Sequence, residues 1–215
     1  MLPIVSIVGK SDSGKTTLLE ALIKVLGQRG HRIAVIKHAA DSFEIDTPHK
    51  DSWRLSQAGG EVAAISSKDR LVIFRHLEIE ADPQALAQYI GADCDLVLTE
   101  GFKQYSYPKI EVIRAGQESE IVSPPEQLLA IVTDKPLDIR VPQFTGEEVT
   151  KIADLIEQKC LAGAEDGVDL YVDGTYVPLG KAGRNLLLRT LVAMVSGLKG
   201  INQLRRLTIS MRRKV

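Results

Sequence analysis

The sequence predicts an α/β fold, a mostly parallel sheet with helices on both faces. It carries an inserted antiparallel hairpin and ends in a small C-terminal ββαβ-like module. Three observations lead there. An apolar run, Ile4-Val5-Ser6-Ile7-Val8, enters Gly9-Lys10-Ser11-Asp12-Ser13-Gly14-Lys15-Thr16, and an amphipathic run begins at Thr16. A second β-type run, Ile33-Ala34-Val35-Ile36, follows that helix, which makes a βαβ unit with parallel strands and a right-handed crossover. Further short apolar runs then alternate with stretches of helical period.

The glycine-bounded stretch satisfies G-x-x-x-x-G-K-[ST] between a strand and a helix, the context that identifies a phosphate-binding P-loop. Glycines at both ends let the backbone curl so that successive N–H groups converge on phosphate oxygens, and the next helix aims its positive dipole end at them. Gly9, Lys10, Ser11, Asp12, Ser13, Gly14, Lys15 and Thr16 are therefore expected to bind nucleotide. Lys15 is expected over the β- and γ-phosphates, and the Thr16 hydroxyl on Mg²⁺. The fold class is accordingly that of the P-loop NTPases.

Leu18, Leu19, Leu22, Ile23, Val25 and Leu26 recur as one face of a helix running to Arg29, with Gly30 placed to end it. The second strand delivers Lys37 and His38 to its carboxyl end, where ligands gather in such sheets. Residues 41–51 are polar, contain Pro48 and read as a loop on the phosphate side. Asp51 or Ser52 can cap a short helix through Ala58. Val62-Ala63-Ala64-Ile65 and Leu71-Val72-Ile73-Phe74 read as a hairpin inserted in the sheet. Asp82-Pro83 opens a helix running to about Ile90.

Asp95-Leu96-Val97-Leu98-Thr99-Glu100-Gly101 is an apolar run ending in an acid and a glycine. On the strand beside the P-loop, Glu100 can hold Mg²⁺ or its water, because the phosphates need a cation. Two more strands follow, Ile110-Glu111-Val112-Ile113 and Leu128-Leu129-Ala130-Ile131-Val132. The second runs into Thr133-Asp134-Lys135-Pro136, where an aspartate can accept from the N1 and N2 donors of guanine or simply make a turn. Thr145 to Cys160 closes residues 1–160 as an amphipathic helix. Residues 161–167 read as a linker, and 168–215 as the small module, with a hairpin around Asp173-Gly174, a helix from Lys181 to Gly197 and a strand over 206–211.

The chain has 215 residues, enough for one α/β domain and a small appendage. Its formal net charge of -1, read as mixed along the chain, asks for no nucleic-acid or membrane partner. Cys94 and Cys160 fit no metal-ligand spacing and read as buried thiols in a reducing compartment. No signal peptide is apparent, so a cytoplasmic protein is expected. For a hydrolytic reaction, Lys15, Asp46 and Glu100 are the catalytic candidates. Asp46 either orients the attacking water or is a turn residue before Thr47-Pro48. No arginine is obviously placed as a finger, with Lys10 and Arg54 nearest, so slow turnover is expected.

Gly14-Lys15-Thr16-Thr17, Ile36-Lys37-His38, Asp46-Thr47-Pro48-His49-Lys50-Asp51-Ser52, Ala58-Gly59 and the stretch from Asp95 through Glu100-Gly101-Phe102-Lys103 together resemble the molybdopterin-guanine dinucleotide biosynthesis protein B family, over roughly Ile4 to Glu157. The resemblance implies a dimeric GTP-binding protein with weak GTP hydrolysis. It would assist the nucleotidyltransferase that joins GMP to molybdopterin, with molybdopterin itself as a further candidate partner. It implies phosphate contacts from Gly14, Lys15, Thr16 and Thr17, Mg²⁺ on Thr16 and Glu100, and a nucleotide- or cofactor-facing switch of Lys37, His38, Asp46, Lys50, Asp51 and Ser52. Thr133, Asp134 and Lys135 remain candidates for the base. Asp12 stands where the family commonly has glycine, and its carboxylate must point outward or meet the metal. Two other readings stay open: a small-molecule kinase or ligase on this scaffold, and a GTP-dependent metallochaperone.

Overall fold

The computed structural model describes residues 2–39, 50–77, 79–90, 94–114, 121–162, 168, 170–172, 175–197 and 207. Six strands form one parallel sheet: β1 (Ile4–Gly9), β2 (Ile33–Lys37), β5 (Leu96–Glu100), β6 (Lys109–Ile113), β7 (Leu128–Thr133) and β8 (Gln143–Phe144), in the order β2-β5-β1-β6-β7-β8. The strand ending in Glu100 does lie beside β1, with Ile7 opposite Glu100. β5 also separates β1 from β2, so the first βαβ unit skips one strand position. The two-residue β8 was too short to leave a periodic signal.

Alternation along the strands divides the core between the two faces. Val5, Ile7, Leu96, Leu98, Ile110 and Val112 face α1 (Lys15–Gln28) and α4 (Val149–Ile156), meeting Leu18, Leu22, Leu26, Ile152 and Ile156. Ile4, Ala34, Ile36 and Val97 form the opposite face with Ala87 of α3 (Pro83–Ile90) and Phe102. Each buried Leu or Ile contributes about 1.5–3 kcal/mol. The polar residues inside the sheet are matched. The Thr99 hydroxyl donates to Ser6 Oγ across β5 and β1 (2.8 Å), and Glu111 accepts from the N–H groups of Val122 (2.8 Å) and Ser123 (3.0 Å). Lys109, fully buried, donates to the Tyr105 carbonyl and to Gln127 Oε1 (2.5 Å), and burial pulls its ammonium pKa down.

α1 starts at Lys15 and is closed by Gly30 at φ +92°, whose N–H bonds the Gly27 carbonyl at 3.0 Å. Asp82 opens α3 by accepting from the Gln84 N–H (2.6 Å). α4 begins four residues later than its amphipathic pattern suggested, because Thr145–Glu148 form a side-chain-closed turn in which Glu148 Oε2 accepts from the Thr145 N–H (2.9 Å). The helix then widens into a π-turn over Glu157–Leu161.

Two expectations need correcting. The hairpin of β3 (Val62–Ser66) and β4 (Leu71–Arg75) is antiparallel, as its pattern indicated, but it stands as a separate two-stranded sheet instead of entering the main one. An antiparallel ribbon can join an all-parallel sheet only at an edge, and this one pairs with itself. Cys94 and Cys160 are half-buried free thiols, not core residues; each sits at the periphery of its cluster, and burial raises the Cys160 pKa.

In the C-terminal segment, β9 (Leu170–Val172) and β10 (Thr175–Val177) pair antiparallel and α5 spans Lys181–Ser196. Neither core cluster of the main sheet contains a residue beyond Leu161. The tip of that hairpin at 173–174, most of the linker over 161–167 and the strand expected over 206–211 lie outside the described residues, apart from Leu207.

Candidate phosphate-binding site

The loop between β1 and α1 takes a conformation that only its residue types permit. Gly9 (φ +146°) and Gly14 (φ +98°) have left-handed backbone, and a Cβ at Gly9 would lie 2.4 Å from the Val112 carbonyl oxygen. Gly14 immediately precedes α1, so the free N–H groups of the first helical turn face the loop's hollow. Asp12, at φ +57°, is exposed, and its charge acts on Lys15 across the loop. The Lys15 ammonium donates to the Lys10 carbonyl at 2.5 Å, folded over the loop itself. Burial lowers the Lys15 pKa, and the Lys103 and Lys37 cations lower it further, against Glu100 and Asp12.

Glu100, at the carboxyl end of β5, reaches across to α1. The Thr16 hydroxyl donates to Glu100 Oε2 at 2.9 Å, and Lys37 Nζ lies 3.6 Å from Oε1. Two hard oxygen donors, one on the helix start and one on the neighbouring strand, suit Mg²⁺, which binds one or two protein oxygens and takes the rest from phosphate and water. Among the described residues no cluster of three His, Cys, Asp or Glu could hold a metal alone. His38 donates its N–H to the Glu100 carbonyl (2.9 Å), and its ring Nε2 lies 2.8 Å from Glu80 Oε1.

The remaining sequence candidates divide. Thr17 is exposed in the first turn of α1. Thr133 closes a small turn at the end of β7: its hydroxyl donates to the Lys135 carbonyl (3.0 Å) and accepts from the Lys135 N–H (3.3 Å). Asp134 and Lys135 are exposed there, two strands from β1 on the side away from Glu100. Lys50 precedes α2 (Asp51–Gln57) and Ser52 lies within it; Asp51 is exposed and pairs with Arg54 (3.6 Å), which therefore is occupied on its own helix. Asp46 lies outside the described residues. Two cations were not assigned from sequence. Arg114, directly after β6, donates to the Asp12 carbonyl (3.3 Å). Lys103 follows the Glu100-Gly101-Phe102 turn. Each sits just beyond the carboxyl end of a strand flanking β1, and that position was the available signal.

The family model described as molybdopterin guanine dinucleotide synthesis protein B matches residues 4–134. The chain is 38% identical over 157 residues to the molybdopterin-guanine dinucleotide biosynthesis adapter protein of Haemophilus influenzae, covering 73% of this chain and 88% of that protein. It is 34% identical over 161 residues to the protein of the same name from Escherichia coli, covering 73% and 92%. A crystal structure of molybdopterin-guanine biosynthesis protein B superposes with a TM-score of 0.56 at 33% identity, covering 72% of this chain and 98% of the other. The matched stretch holds the P-loop, β5 with Glu100, and the end of β7, so the site and the likeness coincide: the chain belongs to the molybdopterin guanine dinucleotide synthesis protein B family.

Proposed function

We propose that this chain is a GTP-binding accessory protein in molybdopterin guanine dinucleotide formation, acting with the nucleotidyltransferase that joins GMP to molybdopterin and hydrolysing GTP slowly. The observation that carries the nucleotide reading is the 2.9 Å contact of Thr16 with Glu100 beside a glycine-bounded loop and Lys15. The pathway reading leans on the family and on the adapter names of its relatives.

In this reading the amides of residues 10–16 and the Lys15 ammonium bind the phosphate chain, with Lys15 leaving the Lys10 carbonyl to do so. Thr16 and Glu100 hold Mg²⁺, which supplies charge neutralisation across the β- and γ-phosphates. Asp46 orients the attacking water. Asp134, exposed at the rim, accepts from guanine. Lys37, His38, Lys50, Asp51 and Ser52 form the surface that changes with the nucleotide. The Glu80 partner of His38 and the Lys37 contact to Glu100 give that surface a link to the metal carboxylate. Hydrolysis is slow in this reading because Arg114, which contacts the loop, donates to a backbone carbonyl on the side away from Glu100.

The same reading makes the protein a homodimer. Val62, Leu71 and Ile73, on one face of the β3–β4 ribbon, are each half or more exposed, an apolar surface of the kind that marks an interface. Residues 168–215 are a separate appendage, joined by 161–167. No helix among the described residues is long and apolar enough to cross a membrane, and we assign the protein to the cytoplasm. Titrating nucleotide-free protein with fluorescent GTP and ATP, with and without Mg²⁺, tests the proposal. GTP is expected to bind better than ATP, Lys15→Ala to lose both, and Glu100→Ala to lose the Mg²⁺ dependence. Equal affinity for the two nucleotides sinks the guanine role of Asp134, and binding of neither sinks the nucleotide reading.

A further inference from the structure

After Glu100 the chain does something a strand end does not require. Gly101 (φ +97°) and Phe102 (φ +57°) take left-handed backbone in succession. At Gly101 the reason is space, since a Cβ would lie 2.9 Å from His38 Cβ. At Phe102, a bulky residue, that conformation is strained, and strain of this kind persists only where the surroundings hold it. Here they do. Phe102 is 3% exposed, its ring meets His38 edge-on at 5.1 Å, and it tilts against Tyr105 at 5.7 Å. The Gly101 N–H is bonded to the Ile7 carbonyl (3.1 Å), which pins the turn to β1 two residues before the phosphate loop.

The residue this double turn presents is Lys103. It is exposed and makes no hydrogen bond or ion pair among the described residues. Its charge reaches Lys15, whose pKa it helps to lower. Lys37 is paired with Glu100 and Lys15 with the Lys10 carbonyl. Lys37 and Lys103 both act on Lys15, so three ammonium groups gather there against the carboxylates of Glu100 and Asp12, an excess of positive charge that a polyphosphate corrects. In the nucleotide reading Thr16 and Glu100 mark the side of the outer phosphates, and Lys103, exposed, follows Glu100 by three residues.

We propose that Lys103 binds the terminal phosphate of the nucleoside triphosphate from the β5 side, opposite Lys15, and that the strained Gly101-Phe102 turn is what fixes it there. The inference rests on the nucleotide reading above. It makes Lys103 a residue that distinguishes triphosphate from diphosphate. The test is calorimetric titration of the full chain in Mg²⁺ with GDP and with a non-hydrolysable GTP analogue. Lys103→Ala is expected to weaken the analogue on the order of tenfold, the scale of one charge-assisted hydrogen bond, and to leave GDP within about twofold. Lys103→Arg is expected to restore most of the loss. An analogue affinity unchanged in Lys103→Ala, or an equal loss for both ligands, overturns the assignment while leaving the nucleotide reading intact. Wild-type protein that binds neither ligand overturns both.

Discussion

The strands of the parallel sheet and those of the β3–β4 ribbon are built from the same kind of residue and meet opposite fates. Ile7, Leu96, Leu98 and Ile110 are fully buried, whereas Leu71 is 63% and Ile73 52% exposed. The difference lies in what covers them. The central strands β5, β1 and β6 have a strand on both edges and lie under the α1–α4 layer; the ribbon has one partner strand, and an isolated two-stranded hairpin is marginal in water. An apolar β-type run therefore specifies extended backbone but not its covering. Where the described residues leave the Leu71–Ile73 face open, the proposed cover is a second copy.

The sharpest way to break the comparison is to cut the same side chain from each. Leu98→Ala should cost about 2–5 kcal/mol, because it opens a cavity between β5 and the α1–α4 layer. Ile73→Ala should cost less than about 0.5 kcal/mol in the dilute protomer. Urea unfolding at low protein concentration reads both. Comparable costs would mean that the ribbon is covered within its own chain.

A second cut tests how the sheet tolerates polar residues that the ribbon leaves in water. Glu111 is 1% exposed and spends both oxygens on the Val122 and Ser123 N–H groups. Glu111→Gln replaces one acceptor with a donor that faces an N–H, which should cost about 1–3 kcal/mol. An unchanged urea midpoint would show that the segment at 122–123 finds other acceptors.

What the sequence made legible follows the same division. The P-loop, β5 with Glu100 beside it, and the two-faced core were readable because local pattern and long-range position agree there. Gly9 must be glycine to pass Val112, and the strand ending in an acid sits next to it. The ribbon's independence was not readable, since period-two alternation says nothing about which sheet a strand joins. Nor was the contact of Arg114 with Asp12, which depends on β6 lying beside β1, 102 residues apart in the chain for that pair. One signal was present and passed over. Charge is not evenly mixed: beyond residue 167 the only acids are Asp169 and Asp173, against Lys181, Arg184, Arg189, Lys199 and the arginines and lysine near the end. Residues 168–215 are therefore basic and the rest of the chain acidic, which overall net charge conceals.

The ribbon side of the comparison is sharpened by making it polar. Leu71→Ser with Ile73→Ser should leave unfolding of the protomer within about 0.5 kcal/mol. Sedimentation velocity should then show the double variant as protomer at concentrations where the wild type self-associates. A double variant that still dimerises would put the interface elsewhere and leave the exposed face of the ribbon unexplained.

The smallest expected effect compares a charge pair at the edge of the sheet with one on the ribbon. Asp95, just before β5, accepts from the Arg32 backbone N–H (2.8 Å) and from its guanidinium (3.2 Å) just before β2, so the pair ties the starts of two neighbouring strands. The Arg32 hydrogen bonds hold the Asp95 pKa below its ordinary value, against a modest desolvation. A depressed folded-state pKa means the stabilisation is complete above the unfolded value, about 3.9, and is lost as pH falls through the lower folded value. The pair is well exposed, at 59% and 39% of the two side chains, so solvent screening keeps its worth under about 1 kcal/mol. On the ribbon, by contrast, Asp69 and Arg70 are 3.9 Å apart, more than three-quarters exposed and neighbours in one turn, so their contact joins no two strands. The stability difference between wild type and Asp95→Asn, measured by urea unfolding from about pH 6 down to pH 3, should hold steady above pH 4 and shrink below it. A difference for Asp95 that is flat would mean that the strand starts are held by the ladder alone.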